Sequence, residues 1–178
     1  TVADVLGCKP NEIIFTSGGT EADNLALRGV AEASRARGTH IITTQIEHHA
    51  VLHECEALEK EGFHVTYLPV DGDGIVRLAA LRDALRDALG EAPQDATILV
   101  SIMYANNEVG AIQPLAEIAA ILRERAPRAA FHTDAVQAAG ALPLTVDTPA
   151  APPLSTPPHK LYERKGAGAL CVRTRPPF

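Results

Sequence analysis

The chain has 178 residues, 46% of them hydrophobic and 21% charged, a balance that fits a globular domain and excludes a disordered or fibrous chain. Its net charge of −6 comes without a basic stripe, which argues against nucleic acid as the main partner, and no apolar run approaches the roughly 18 residues a membrane helix needs. Three scattered cysteines (Cys8, Cys55, Cys171) make no C-x-x-C pair, so a reducing compartment, cytoplasm or organelle matrix, is expected instead of a disulfide framework.

In chain order, Thr1 to Gly7 reads as the tail of a helix with Gly7 just past its end. Glu12 to Thr16 is a strand, and Thr20 to about Arg37 a helix. Thr39 to Thr44 and Val65 to Val70 are strands on either side of a helix over His49 to Glu61. The turn Asp71-Gly-Asp-Gly74 closes the second of these strands. Leu78, Leu81, Leu85 and Leu89 recur at helical spacing and form one stripe. Thr97 to Met103 is apolar throughout, as a strand covered on both faces must be. A helix over Pro114 to Arg125 and strands at Ala129 to Thr133 and Ala167 to Val172 complete the pattern. Strands alternating with helices predict βαβ units: an α/β fold in three layers, with a mostly parallel sheet flanked by helices. No internal repeat is visible. The segment Pro149 to Pro158 holds five of the 13 prolines. Proline cannot donate to a ladder, so this segment reads as an extended linker and not as a central strand.

Ligands of such sheets sit beyond the carboxyl ends of the strands. Thr16-Ser-Gly-Gly-Thr-Glu21 joins a strand to a helix N-terminus, where free N–H groups and the helix dipole favour an anion; a plain turn is the alternative. Glu47-His-His49, with His53 nearby, offers a stacking ring or a helix cap. A zinc site lacks a further ligand at a convincing spacing. Asn106 and Asn107 offer an amide or simply a turn. Asp134, ending a buried strand, needs a cation, a protonated base or a capping role. His159-Lys160 carries no signal alone. Together these make a pyridoxal-phosphate site one candidate among several on their chemistry alone: an anion cradle, a ring, an amide, a carboxylate for the pyridine nitrogen and a lysine amine.

The chain resembles the cysteine desulfurases of the NifS/IscS type, within the class V aminotransferase group of fold-type-I pyridoxal-phosphate enzymes. The resemblance rests on six ordered blocks: Phe15 to Ala26, Ile46 to Leu52, Tyr67 to Asp71, Val100 to Gly110, His132 to Gln137, and His159-Lys160. It implies that Gly19 and Thr20 hold the cofactor phosphate and that His48 stacks on the pyridine. Asn107 would lie near the ring substituents, with Asn106 the alternative if the register shifts by one. Asp134 would pair with the pyridine nitrogen, Gln137 with the ring hydroxyl, and His159 with the phosphate. Lys160 would bind the cofactor covalently and then move protons.

On this resemblance, residues 1–178 are the central part of the cofactor-binding large domain, without its N-terminal segment and C-terminal small domain. The whole enzyme would convert L-cysteine to L-alanine and pass sulfur, as a persulfide, to an iron–sulfur scaffold or thiolation protein. It would do so as a homodimer, without nucleic acid, membrane or metal. Two departures stand out: Pro157 replaces a phosphate-binding serine, and Tyr162-Glu-Arg-Lys-Gly166 replaces the usual Tyr-Gly-Pro-Lys-Gly. The nucleophilic cysteine and the substrate-binding arginine are expected outside this chain. Selenocysteine lyase and a fold-retaining inactive fragment are the competing readings.

Overall fold

The computed structural model describes residues 2–6, 8–87, 96–138, 142, 154–156 and 167–172. The described elements are helices α1 (Val2–Leu6), α2 (Gly19–Ser34), α3 (His49–Lys60), α4 (Leu78–Asp87) and α5 (Leu115–Arg125), with strands β1 (Ile13–Thr16), β2 (His40–Thr44), β3 (His64–Leu68), β4 (Thr97–Ser101), β5 (Ala130–Asp134), β6 (Leu154–Thr156) and β7 (Gly168–Cys171). Gly7 and Leu89, assigned roles from the sequence, lie outside the described residues.

The strands form one sheet in the order β1-β7-β6-β5-β4-β2-β3. Strands β3, β2, β4, β5 and β6 run parallel, and β7 runs antiparallel between β6 and β1. Alternate side chains leave opposite faces of the sheet, and both faces are covered. Ile41, Leu99 and Leu170 pack with Ala22, Leu27, Val51 and Leu58 of α2 and α3. Ile42, Val100 and Phe131 pack on the other side with Leu81, Leu85, Ile118 and Leu122 of α4 and α5. Leu6 of α1 packs with Ala169 and Cys171, whose side chains leave β7 on the face opposite Leu170. The expected three-layer α/β arrangement is therefore present.

One expectation fails. The proline-rich segment contains β6, an interior strand that pairs parallel with β5 (Thr133 with Leu154, Asp134 with Ser155) and antiparallel with β7. The physical reason is local. The prolines at 152, 153, 157 and 158 flank Leu154-Ser-Thr156, so all three strand residues keep their N–H groups.

Two loops are built by side chains. Asp71 Oδ1 accepts hydrogen bonds from Asp73 N and Ile75 N, and Gly74 takes φ +77°, a left-handed conformation that suits glycine. Buried Gln113 then joins this turn to the segment before α5: its Nε2 donates to Gly74 O and its Oε1 accepts from Val76 N. At the other edge, a methyl group on Gly168 would collide with Thr16 Oγ1 and the Gly18 carbonyl. Gly168→Ala should therefore destabilise the fold by about 1–3 kcal/mol. A lowered Tm by calorimetry is the expected reading, because β7 and the loop leading into α2 cannot both hold their places.

Candidate functional site

The carboxyl ends of β2, β4 and β5 and the N-termini of α2 and α3 surround a cavity of about 540 Å³. Gly19, Thr20, His48, Asn107, Asp134 and Gln137 all line it, so the fold brings together six residues that the sequence singled out. His159 and Lys160, with Pro157 and the stretch 162–166, lie outside the described residues.

On the α2 side, Gly18 precedes the helix with an extended backbone and gives no side-chain cap. The first-turn N–H groups of a helix have no acceptor within it, and here two of them belong to the lining residues Gly19 and Thr20. Glu21 would oppose an anion there, but it is engaged elsewhere. Ser17 N and Ser17 Oγ both donate to Glu21 Oε2, at 2.6 and 2.5 Å, and these bonds hold its carboxyl below the usual range. With its side-chain amide turned so that the nitrogen faces Ala50, Asn24 ties this helix start to the next one, donating to Ala50 O at 3.0 Å.

His48 is the N-cap of α3. Its Nδ1 accepts from Ala50 N at 3.1 Å, so a proton on the neutral ring sits on Nε2. Capping and lining the cavity are thus compatible: the cap bond occupies one ring nitrogen and fixes the ring at the cavity edge. His49 stacks on His53 with centroids 5.2 Å apart, but among the described residues no group of three or more His, Cys, Asp or Glu side chains could hold a metal ion.

The two asparagines differ. Asn106 builds its loop: Oδ1 accepts from Glu108 N and Val109 N, and Nδ2 donates to Ile46 O at 2.9 Å. Asn107 also lines the cavity and takes no part in these bonds. Asp134 Oδ1 accepts from Val136 N at 2.8 Å, so this carboxylate caps the turn that follows its strand as well as lining the cavity.

Three features escaped the sequence reading. Glu47 lines the cavity but is only 5% exposed. Burial pushes its carboxyl up to about 8; hydrogen bonds from Thr44 and Met103 oppose the shift, and the charges of Asp134 and Asp23 add to it. Asp23, 1% exposed on α2, also lines the cavity and faces His132, whose Nε2 lies 3.6 Å from Asp23 Oδ1. His132 Nδ1 and Ser101 Oγ are 2.8 Å apart behind it. A helical acid such as Asp23 gives no sequence signal of its burial. The charge at Glu47 was visible, but not its partners.

No cysteine lines this cavity among the described residues. Cys55 is buried in α3 and its thiol is pushed up to about 12, first by burial and then by the negative charges of Glu47 and neighbouring glutamates. Cys171 is buried within β7.

Comparison with known proteins finds relatives of both the sequence and the fold. The family profile for aminotransferase class-V matches residues 1–176. Among curated relatives, cysteine desulfurase IscS of Methanosarcina thermophila is 53% identical over 171 residues, covering 96% of this chain and 40% of the relative. The corresponding protein of Clostridium botulinum is 49% identical over 172 residues, covering 97% of this chain and 41% of the relative. The chain thus spans about 40% of the length of these relatives. Among solved structures, a NifS-like protein superposes with a TM-score of 0.88 at 41% identity, covering 99% of this chain and 46% of the other. DndA from Streptomyces lividans superposes with a TM-score of 0.83 at 40% identity, covering 98% of this chain and 46% of the other. With residues 1–176 matched by one profile and its fold shared with these structures, the chain belongs to the aminotransferase class-V family.

Proposed function

We propose that this chain is the cofactor-binding part of a cysteine desulfurase, holding pyridoxal phosphate in the cavity at the carboxyl ends of β2, β4 and β5. The observation that carries the reading is the composition of that one cavity. It has helix N–H donors at Gly19 and Thr20, an imidazole at His48, and the carboxyl groups of Asp134, Asp23 and Glu47. Donors in one part of the wall and acids in another suit a molecule with a phosphate and a basic ring nitrogen. The residues present fit that group.

Bound pyridoxal phosphate would supply an electron sink for bonds made or broken at the substrate α-carbon. The chain's own residues have distinct tasks in this reading. Gly19 and Thr20 bind the phosphate, joined by His159. His48, held by its cap bond, orients the ring from one face. Asp134 keeps the ring nitrogen protonated, and Asn107 and Gln137 bond to the ring substituents. Lys160 supplies the amine that fixes the cofactor and later carries a proton.

L-cysteine as substrate follows from the family resemblance and from its cysteine desulfurase relatives; one solved relative is described as SspA in complex with cysteine. A sulfur-accepting thiolate has to be exposed and deprotonated. Cys55 and Cys171 are buried, with the Cys55 thiol pushed up, and half-buried Cys8 does not line the cavity, so we assign the thiolate to other parts of a longer protein. In that protein residues 1–178 would be the central part of the large domain. Transfer of sulfur to an iron–sulfur scaffold or thiolation protein, homodimer formation, and residence in a reducing compartment belong to the same reading. Among the described residues, no helix is long and apolar enough to cross a membrane.

The test is a titration with pyridoxal phosphate followed by absorbance. A saturable visible band beyond that of free pyridoxal phosphate is the expected result. A chain that develops no band would overturn the reading.

A further inference from the structure

Glu47 is an unusual component of the cavity wall. A carboxylate this buried normally meets a cation, yet the bonds it makes are to neutral groups. Thr44 Oγ1 donates to its Oε1 at 2.6 Å, and Met103 N lies 3.0 Å from each carboxylate oxygen. Among the described residues, no lysine or arginine forms an ion pair with it.

These bonds also fix its position. They tie the segment after β2 to the segment after β4, beside the bond from Asn106 Nδ2 to Ile46 O. The next residue, Tyr104, donates its N–H to Asp134 O at 2.8 Å. Glu47 is therefore held at the carboxyl end of β4, next to the end of β5 that carries Asp134, and both side chains line one cavity.

The ionisable groups around it come from three elements. Asp134 and His132 belong to β5, Asp23 to α2, and His48 and Cys55 to the start and body of α3. Three carboxyl groups thus share a largely buried wall. Like charges held close in a buried wall oppose one another's ionisation. Burial and the two neighbouring acids raise the proton affinity of Glu47.

We propose that Glu47 is a second acidic group of the cofactor site, protonated in the ligand-free protein and releasing its proton to solvent when a protonated ring nitrogen is seated beside Asp134. The proposal rests on the pyridoxal-phosphate reading of the cavity. It makes loading of the site a proton-coupled event and gives the ring nitrogen a second negative neighbour. Glu47 does not need to touch the ring for this. Its clasp on Thr44 and Met103 holds it still, so that its charge changes while its place does not.

The sign can be worked out for the ligand-free protein. A carboxyl whose folded value is raised above its unfolded one, here from 4.5 to about 8, favours folding most at low pH. That contribution is lost as pH rises through this window, because the unfolded chain gives up the proton first. Glu47→Gln keeps a carbonyl oxygen for Met103 N and removes the titration.

The deciding experiment is calorimetric titration of the full chain with pyridoxal phosphate near pH 7, in buffers of different ionisation enthalpy. The wild type should release up to one more proton per site than Glu47→Gln, and both should bind. An infrared difference spectrum of the wild type alone should show a protonated-carboxyl band disappearing on loading, a readout that does not depend on the variant folding. Binding with equal proton counts in both proteins, or with no loss of that band, overturns the role of Glu47 and leaves the cofactor assignment standing. Failure of the wild type to bind pyridoxal phosphate at all overturns the cofactor assignment, and this proposal with it.

Discussion

Lys160→Ala is expected to abolish covalent attachment of pyridoxal phosphate completely: no visible band, and no adduct recovered after borohydride reduction. The chain has four lysines, Lys9, Lys60, Lys160 and Lys165. Lys9 stands before the 3₁₀ turn Pro10–Glu12, and Lys60 is in the last turn of α3; neither lines the cavity. Lys160 follows the end of β6 by four residues, a span of at most roughly 14 Å. In that strand Ser155 pairs with Asp134, so β6 ends beside the cavity. Lys165 is the competitor, because β7 begins three residues later, beside Thr16. Mass spectrometry of the reduced adduct separates the two. An adduct mapped to Lys165, or one that survives in Lys160→Ala, would overturn the assignment.

Asp134→Asn should weaken pyridoxal phosphate binding roughly ten- to 150-fold while leaving the Tm close to that of the wild type. A hydrogen bond to a charged group contributes about 1.5–3 kcal/mol, and each 1.4 kcal/mol is a factor of ten. The asparagine retains Oδ1, so the bond from Val136 N that caps the turn is preserved. What disappears is the negative charge that favours a protonated ring nitrogen. The check is a fluorescence titration of both proteins alongside their thermal melts. Unchanged affinity would mean that the ring nitrogen does not face Asp134. A fall in Tm matching the loss of affinity would mean that the residue serves the fold alone.

The sequence was most informative where one chain segment carries its own signal. The stripe of Leu78, Leu81 and Leu85 predicts α4, and all three face the core built with α5. The apolar run from Thr97 predicts β4, although the strand stops at Ser101. Ile102 N still bonds to His132 O of β5, and Met103 N turns away to Glu47. Gly19 and Thr20 at a helix start, His48 before its helix and Asp134 at the end of its strand were each legible because they stand at element boundaries.

Where the sequence misled or stayed silent, the deciding partner is distant. Leu154 to Thr156 reads as part of a linker because its prolines are visible, whereas the ladders it joins run to Thr133 and Ala169. Asn106 and Asn107 look alike until one of them bonds to Ile46, 60 residues away. Glu47 looks like any surface acid until Met103, 56 residues on, closes over it. The sequence by itself determined the alternation of strands and helices, the faces they bury and most of the residues at the strand ends. Periodicity and capping depend on neighbours within a few positions, so the chain carries them wherever it goes. Only the tertiary structure decided the order of the strands, the reversed direction of β7 and which acids lose their water. Those outcomes depend on pairing and burial between segments far apart in the chain, and no local pattern encodes such pairings.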